Sequence, residues 1–490
     1  MFIRLFALSP YRLFPALLPT MCNAGRLRQL KKLEHLGPLV FASLLLVLLS
    51  SKVYALTRDD VDFSGFGTVG MVLSDSNTYG YRVDVSNDDG VFDGDVDFLS
   101  ISNLGLQFDI ALSETSLLTF QAVAKDQADT AFLDYVTQAF YKHEFSPSID
   151  LRLGRMPLDL FALADHRNIG FSYTWSALPA ETYSLYPVQH LDGGDLSYTI
   201  RPGTGTIVST FFTGKTDFDV GVYGQVSEVN IKNIIGTSIT WSDLSWQFKA
   251  NYSRLEMENT GGALEDLRKG AELFDEGLNA LTANLNQFFP TAYPSDLWLN
   301  SERAIADTDL DGEFVHYYSI SGNYTWNSWT LAAEVTRVTT KTKAIPSFFS
   351  SYLSLEYSRG KSTYYGLIAK SISDTEDFDD SGVSELITRP DSPLLDPNQV
   401  GPLADGFQAL LPQYPFIAQG YQQIFEAYDA EQKTFAVGWR HDLKSNISLN
   451  VQLNHTVVKD RGGPLWWIKE IGPTEGESIN TAFFSLSFIF

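Results

Sequence analysis

The sequence predicts an all-β protein, a transmembrane antiparallel β-barrel of about 16 strands. Three observations point there. Phe484, Leu486, Phe488 and Phe490 alternate with Ser485 and Ser487, a period of two that makes one strand face greasy. Terminal residues of a soluble domain tend to fray, whereas a strand closing a barrel in lipid can end on an aromatic ridge. Alternating segments of roughly ten residues also recur as hairpins, with short polar turns on one side and long connections on the other. Finally, Leu104, Leu106, Phe108 and Ile110 oppose Asn103, Gly105, Gln107 and Asp109, and Leu449, Val451 and Leu453 oppose Asn450, Gln452 and Asn454. About 16 strands enclose a lumen too wide for wall side chains to fill, so the polar face is expected to point inward, around water.

The N-terminal stretch reads as a signal peptide. Arg26, Arg28, Lys31 and Lys32 precede an apolar run over 36–49, followed by Val53 and Ala55 with the small residues that a signal peptidase accepts. The run, about 14 residues, is short for a membrane helix. Cleavage is expected after Ala55, with Met21 an alternative start, so 1–55 is a leader and 56–490 a single barrel domain. The leader carries 7 of the 35 basic and 1 of the 59 acidic residues, leaving a net charge of −30 on the rest. It also contains Cys22, the sole cysteine. Such acidity argues against nucleic acid as a partner.

The hairpins follow in order. Strands are expected over 61–73, 98–111 with 115–125, 131–145 with 149–156, and 195–201 with 206–214. Next come 229–241 with 244–255, 313–326 with 329–339, 347–357 with 362–373, 434–441 with 447–458, and a closing 478–490. Trp241, Trp246, Trp326, Trp329 and Trp439 all sit beside short turns, as an interfacial aromatic girdle requires.

The long third loop carries the most specific pattern. A strand ends in Gly154-Arg155, then come Asp159, Asp165, His166, Arg167, Gly170-Phe171, Trp175, Pro179 and Tyr183, with re-entry through Gly193-Gly194. Together with the C-terminal strand, this resembles the 16-stranded porins of Gram-negative bacteria. The resemblance implies a third loop folded into the barrel, a trimer, and a channel in the outer membrane reached by Sec export. It also implies contact with lipopolysaccharide, and recognition by the barrel assembly machinery through Phe490. Laid onto this chain, the constriction would set Asp159, Asp165 and Glu181 on the loop against Lys125, Arg152, Lys249, Lys370 and Arg440 on the wall. Arg155, His166 and Arg167 would lie beside them. Opposed charges of this kind orient polar solutes across a pore. No single strand carries a dense arginine ladder, which puts phosphate-type selectivity in doubt.

Two insertions break the strand rhythm. Over 262–288, Leu264, Leu267, Ala271, Phe274, Leu278, Leu281 and Leu285 recur at helical spacing, so an amphipathic helix is expected in an extracellular loop. The stretch 374–431 is acidic and proline-rich. Asp93, Asp95 and Asp97 are weak calcium candidates, as are Asp307, Asp309 and Asp311, but Tyr318 stands where an EF-hand needs its closing glutamate. Histidines are few and scattered and no nucleophile elbow occurs, so neither an enzyme nor a cofactor is expected. The reading is a porin passing small hydrophilic solutes. The alternatives are a substrate-specific channel and a surface-binding barrel for adhesion or phage attachment.

Overall fold

The computed structural model describes residues 60–490, apart from 88, 128–131, 186, 223–224, 259–262, 286–305, 307–308, 343–344, 375–403, 428, 460–464 and 469–474. The expected leader, 1–55, lies outside the described residues.

The strands, in chain order, are β1 (Val61–Ser74), β2 (Tyr79–Tyr81), β3 (Asn103–Ser113), β4 (Ser116–Lys125), β5 (Val136–Ser146) and β6 (Ile149–Met156). They continue as β7 (Leu191–Ile200), β8 (Thr206–Val222), β9 (Gln225–Ser242), β10 (Trp246–Glu258), β11 (Phe314–Trp326) and β12 (Trp329–Thr339). The last six are β13 (Ser347–Arg359), β14 (Ser362–Asp374), β15 (Glu431–Lys444), β16 (Ile447–Val458), β17 (Trp466–Ile468) and β18 (Glu477–Ile489). All but β2 and β17 form one closed antiparallel barrel of 16 strands, in which β1 pairs with both β3 and β18. Closure leaves no edge with unbonded backbone, the condition for a sheet in lipid.

The faces are inverted relative to a soluble barrel. Leu104, Phe120, Phe211, Ile239, Ile320, Leu353, Phe435 and Leu453 are exposed outside, while Gln121, Thr210, Ser238, Asn251, Ser354 and Gln452 are buried inside. Aromatic rings ladder across the short-turn end of β9 to β13. Trp246 stacks on Tyr324 at 3.8 Å between centroids and on Phe248 at 5.2 Å, Tyr324 lies 5.2 Å from Trp326, and Trp329 lies 4.7 Å from Tyr357. Rings with one apolar and one polar end favour that depth in a bilayer.

Several strand boundaries differ from the sequence reading for local reasons. A bulge between Gly214 and Thr216 breaks the alternation in β8, hiding its continuation to Val222. The extended β8–β9 hairpin leans onto the first long loop, where Arg82 donates to the Gly221 carbonyl at 2.7 Å and Gly221 N–H to Val85 at 2.7 Å. The strand expected from 98 begins at Asn103, because the Asp97 carboxylate accepts from Leu99 and Ser100 N–H and holds a turn. The expected helix is present as Ala263–Leu285. It packs on two helices that the acidic, proline-rich composition concealed, Ala404–Leu410 and Tyr414–Ala427, with Phe274 5.6 Å from Tyr414. The β2–β17 pair was also unforeseen.

The β1–β18 seam is built from aromatic rings laid over glycines. Gly65 exchanges backbone hydrogen bonds with Phe490 at 2.9 Å each way, and a Cβ on Gly65 would come within 2.3 Å of Phe490 Cζ. Gly65→Val should therefore cost about 1–3 kcal/mol. Heat-modified gel mobility would read this as unfolding at lower temperature, and an unchanged transition would contradict the seam.

Candidate functional site

Residues 157–190, between β6 and β7, run through the barrel interior. This segment is almost free of regular structure, so its backbone polar groups need partners from elsewhere. The wall supplies them around most of the circumference. Asn251 on β10 donates to the Asp159 carbonyl, and Ser319 on β11 donates to Leu160 O at 2.9 Å. Glu334 on β12 accepts from Ala162 N–H at 2.9 Å and from the Tyr183 hydroxyl at 2.7 Å. Ser354 on β13 accepts from the Trp175 indole at 3.0 Å. Gln452 on β16 accepts from Ser176 N–H at 2.9 Å. Arg440 on β15 donates to the carbonyls of Phe171 at 2.9 Å and Tyr173 at 2.6 Å. On β3, Asn103 donates to Asn168 O at 3.1 Å. Gly170 passes so close to the seam that a Cβ would meet Thr68 Oγ1 at 2.5 Å.

The loop also brings its own apolar core. Leu158, Leu160, Phe161, Trp175, Tyr183, Leu185 and Val188 are buried with the inward wall residues Phe212, Ile234, Tyr317, Tyr352 and Phe483. A water-filled lumen narrowed by the inward loop was expected. The described lumen instead holds a packed core, because Val, Ile, Phe and Tyr recur on the inward face towards the long loops.

The expected constriction residues fall into distinct places. Asp159 accepts from Ser238 Oγ at 2.5 Å and pairs with Lys249, which also donates to Phe161 O at 2.8 Å. Arg152 pairs bidentately with Asp195, donating from Nε to Oδ1 at 3.2 Å and from Nη2 to Oδ2 at 2.6 Å, and lies 5.5 Å over the Phe140 ring. Arg167 lies 3.9 Å from Asp84 of the first loop and donates to Tyr183 O at 3.1 Å. Lys125 stands 4.0 Å from the same carboxylate. These three groups line a cavity of ≈ 80 Å³ with Thr68, Tyr81 and Ser487. Burial opposes the charge of Asp84, yet Lys125, Arg167 and hydrogen bonds from Ser86 hold its carboxyl below the usual range. Asp165 is exposed beside His166, whose imidazole is lowered by burial and, more weakly, by Lys249.

Two residues are not in the lumen. Lys370 shares its strand face with the exposed Tyr364 and Ile368, and therefore points out of the barrel. Arg155 shares a face with the exposed Leu153 and forks onto Asp192 at 2.7 Å twice. Approximate strand parity was one residue out for Lys370. Among the calcium candidates, Asp95 and Asp97 use a carboxylate oxygen to accept from their own loop's N–H groups. Asp311 pairs with Lys232 at 2.9 Å, and Asp307 lies outside the described residues. Ligand-type side chains converge instead at His190, Asp192 and Asp217. Sequence reasoning missed Glu334, Gln432, Thr434 and Asn450. Their only signal was an inward polar residue every second position, which marks a wall without saying what it holds.

Glu181 is buried, its carboxylate accepting from Gln432 at 2.7 Å and Thr434 at 2.5 Å. Burial raises its pKa above 4.5, against those two hydrogen bonds.

An apolar exterior, a closed hydrogen-bonded wall and an irregular segment tied inside it define a transmembrane β-barrel of the outer-membrane kind. Solved structures of similar outline include an anion-selective porin from Comamonas acidovorans (12% identity, 88% of this chain and 100% of that one, TM-score 0.44). Others are the outer-membrane expressed OmpT of Vibrio cholerae (8% identity, 89% and 99%, TM-score 0.44) and Salmonella typhi OmpF complexed with daunomycin (11% identity, 89% and 99%, TM-score 0.42). At such identities and scores the resemblance stays at the level of outline. No protein-family model matches the sequence, and no curated protein matches it.

Two outcomes are expected from these contacts. A raised carboxyl pKa gives stability that is full below the ordinary value of 4.5 and lost as pH rises through the raised value. Melting temperature against pH should fall over that window, and Glu181→Gln should flatten it. Gln452→Leu takes the wall acceptor from Ala177 N–H and leaves Ser176 N–H only the longer contact to the Tyr365 hydroxyl at 3.3 Å, a loss of about 1–3 kcal/mol. Hydrogen exchange at those two amides should accelerate while the strand amides stay protected.

Proposed function

We propose that this barrel is a trimeric outer-membrane porin that passes small hydrophilic solutes by diffusion past the inward loop. The observation that carries the reading is the 157–190 segment, laid through a closed 16-strand barrel and bonded to its wall from β9 round to β3. A segment fixed on so many strands sets the width of the passage rather than drifting in it. In this reading Asp159, Asp165, Glu181, Arg152, His166, Arg167, Lys125 and Lys249 belong to the constriction. Lipopolysaccharide surrounds the barrel, and the assembly machinery engages Phe490.

The density of the interior favours a second form of the same proposal, a channel selective for one solute class. Buried Trp175, Phe161 and Tyr183 narrow the lumen, and the cavity beside Asp84, Lys125 and Arg167 measures only ≈ 80 Å³.

Single-channel recording of the refolded protein in a planar bilayer, under a salt gradient, tests both forms. Small steps in groups of three are expected. Asp159→Asn, which removes the partner of Lys249, should enlarge each step by loosening the loop. Solute block would favour the selective form. Absence of current from correctly folded barrel would overturn the proposal and move weight to a surface-binding role.

A further inference from the structure

Three side chains of ligand type meet where the inward loop joins β7. His190 is the last loop residue, Asp192 is the second residue of β7, and Asp217 comes from β8 beyond its bulge. His190 Nε2 lies 3.9 Å from Asp192 Oδ2 and 3.9 Å from Asp217 Oδ1, and one ligand atom from each residue lies within 4.8 Å of the others. Nε2 is buried and has no hydrogen-bond partner. An imidazole nitrogen left so is costly unless something else occupies it.

The surroundings suit a cation. His190 and Asp217 border a cavity of ≈ 250 Å³, whose lining adds Asp134, Asp219 and Glu228. That is room for a metal ion with its remaining waters. Arg155 forks onto both Asp192 oxygens at 2.7 Å. This fixes the carboxylate, and each oxygen keeps a further lone pair.

We infer that His190, Asp192 and Asp217 form a site for a borderline divalent cation of the zinc, cobalt or nickel kind. One imidazole with two carboxylates suits these ions, whereas magnesium and calcium favour all-oxygen sites. Tetrahedral bonds of about 2.0–2.2 Å would set ligand atoms roughly 3.3–3.6 Å apart, so each His–Asp distance must close by about half an ångström from 3.9 Å, and the two carboxylates, within 4.8 Å, must also draw together. Side-chain rotation covers that distance, and water from the cavity completes the shell. A bound ion would tie the loop's end and β7 to the β8–β9 hairpin.

The test uses the full chain, refolded in detergent without a polyhistidine tag. Zinc uptake is followed by titration calorimetry and cobalt by its visible absorption. One saturable site is expected, unaffected by excess magnesium or calcium. His190→Ala and Asp217→Asn should each weaken it tenfold or more, while Glu276→Gln, on the exposed face of the Ala263–Leu285 helix, leaves it unchanged. His190→Gln serves if His190→Ala fails the heat-modified mobility check for folding. No saturable uptake overturns the assignment. So does equal uptake by the histidine variants, which would mean that the acidic surface binds cations generally. Neither readout needs ionic current, so the result stands apart from the channel proposal.

Discussion

The interior of this barrel is organised by one requirement, that an irregular chain buried away from water must find partners for its peptide groups. A helix or strand meets that need internally, but residues 157–190 do not. The inward side chains of the wall meet it instead. Asn103, Asn251, Ser319, Glu334, Arg440 and Gln452 each bond the loop's main chain rather than only its side chains. The polar inner face is thus as much a binding surface for the protein's own loop as a lining for solvent. Each contact contributes on the order of 1 kcal/mol net, and together they fix the path of the loop far more firmly than any one of them.

The same economy governs the charges. A transverse field across a pore needs opposite charges held apart. Here Lys249 touches Asp159 and Arg152 forks onto Asp195, so much of each field closes within a contact pair. The less closely paired cations are at the Asp84 cavity, where Lys125 and Arg167 approach one carboxylate at 4.0 Å and 3.9 Å. The first loop therefore contributes an electrostatic element that a third-loop view of the lumen leaves out.

The fold was legible because lipid imposes a strict alternation along each strand. The spans of β6, β12 and β16 agree to the residue with the sequence reading, and in each no bulge interrupts the period before the strand ends. Where a bulge intervenes, as at Lys215, the alternation slips and the strand vanishes from view. The site was less legible, for a different reason. The loop's charged residues stand out in sequence, but their partners are commonplace Ser, Thr, Asn and Gln residues hundreds of positions away. Thr434 and Glu181 illustrate this, 253 residues apart and 2.5 Å in contact. No local pattern encodes such a pairing. Lys370 shows the converse. Its charge suggested the lumen, but one residue of parity decides between lumen and lipid.

The β1–β18 seam carries a consequence for how the barrel comes into being. Thr68 meets Ser487 at 3.0 Å across 419 residues of sequence. Every other neighbouring pair of barrel strands can zip together as soon as both have emerged, but β1 must keep one side open until β18 arrives. The interior loop faces the same wait, since most of its anchors lie on β9 through β16. Such long-range closure makes assembly slow and concerted. Once closed, the ring has no free end from which to unravel, so its durability is that of a hoop: opening it means parting a whole seam at once.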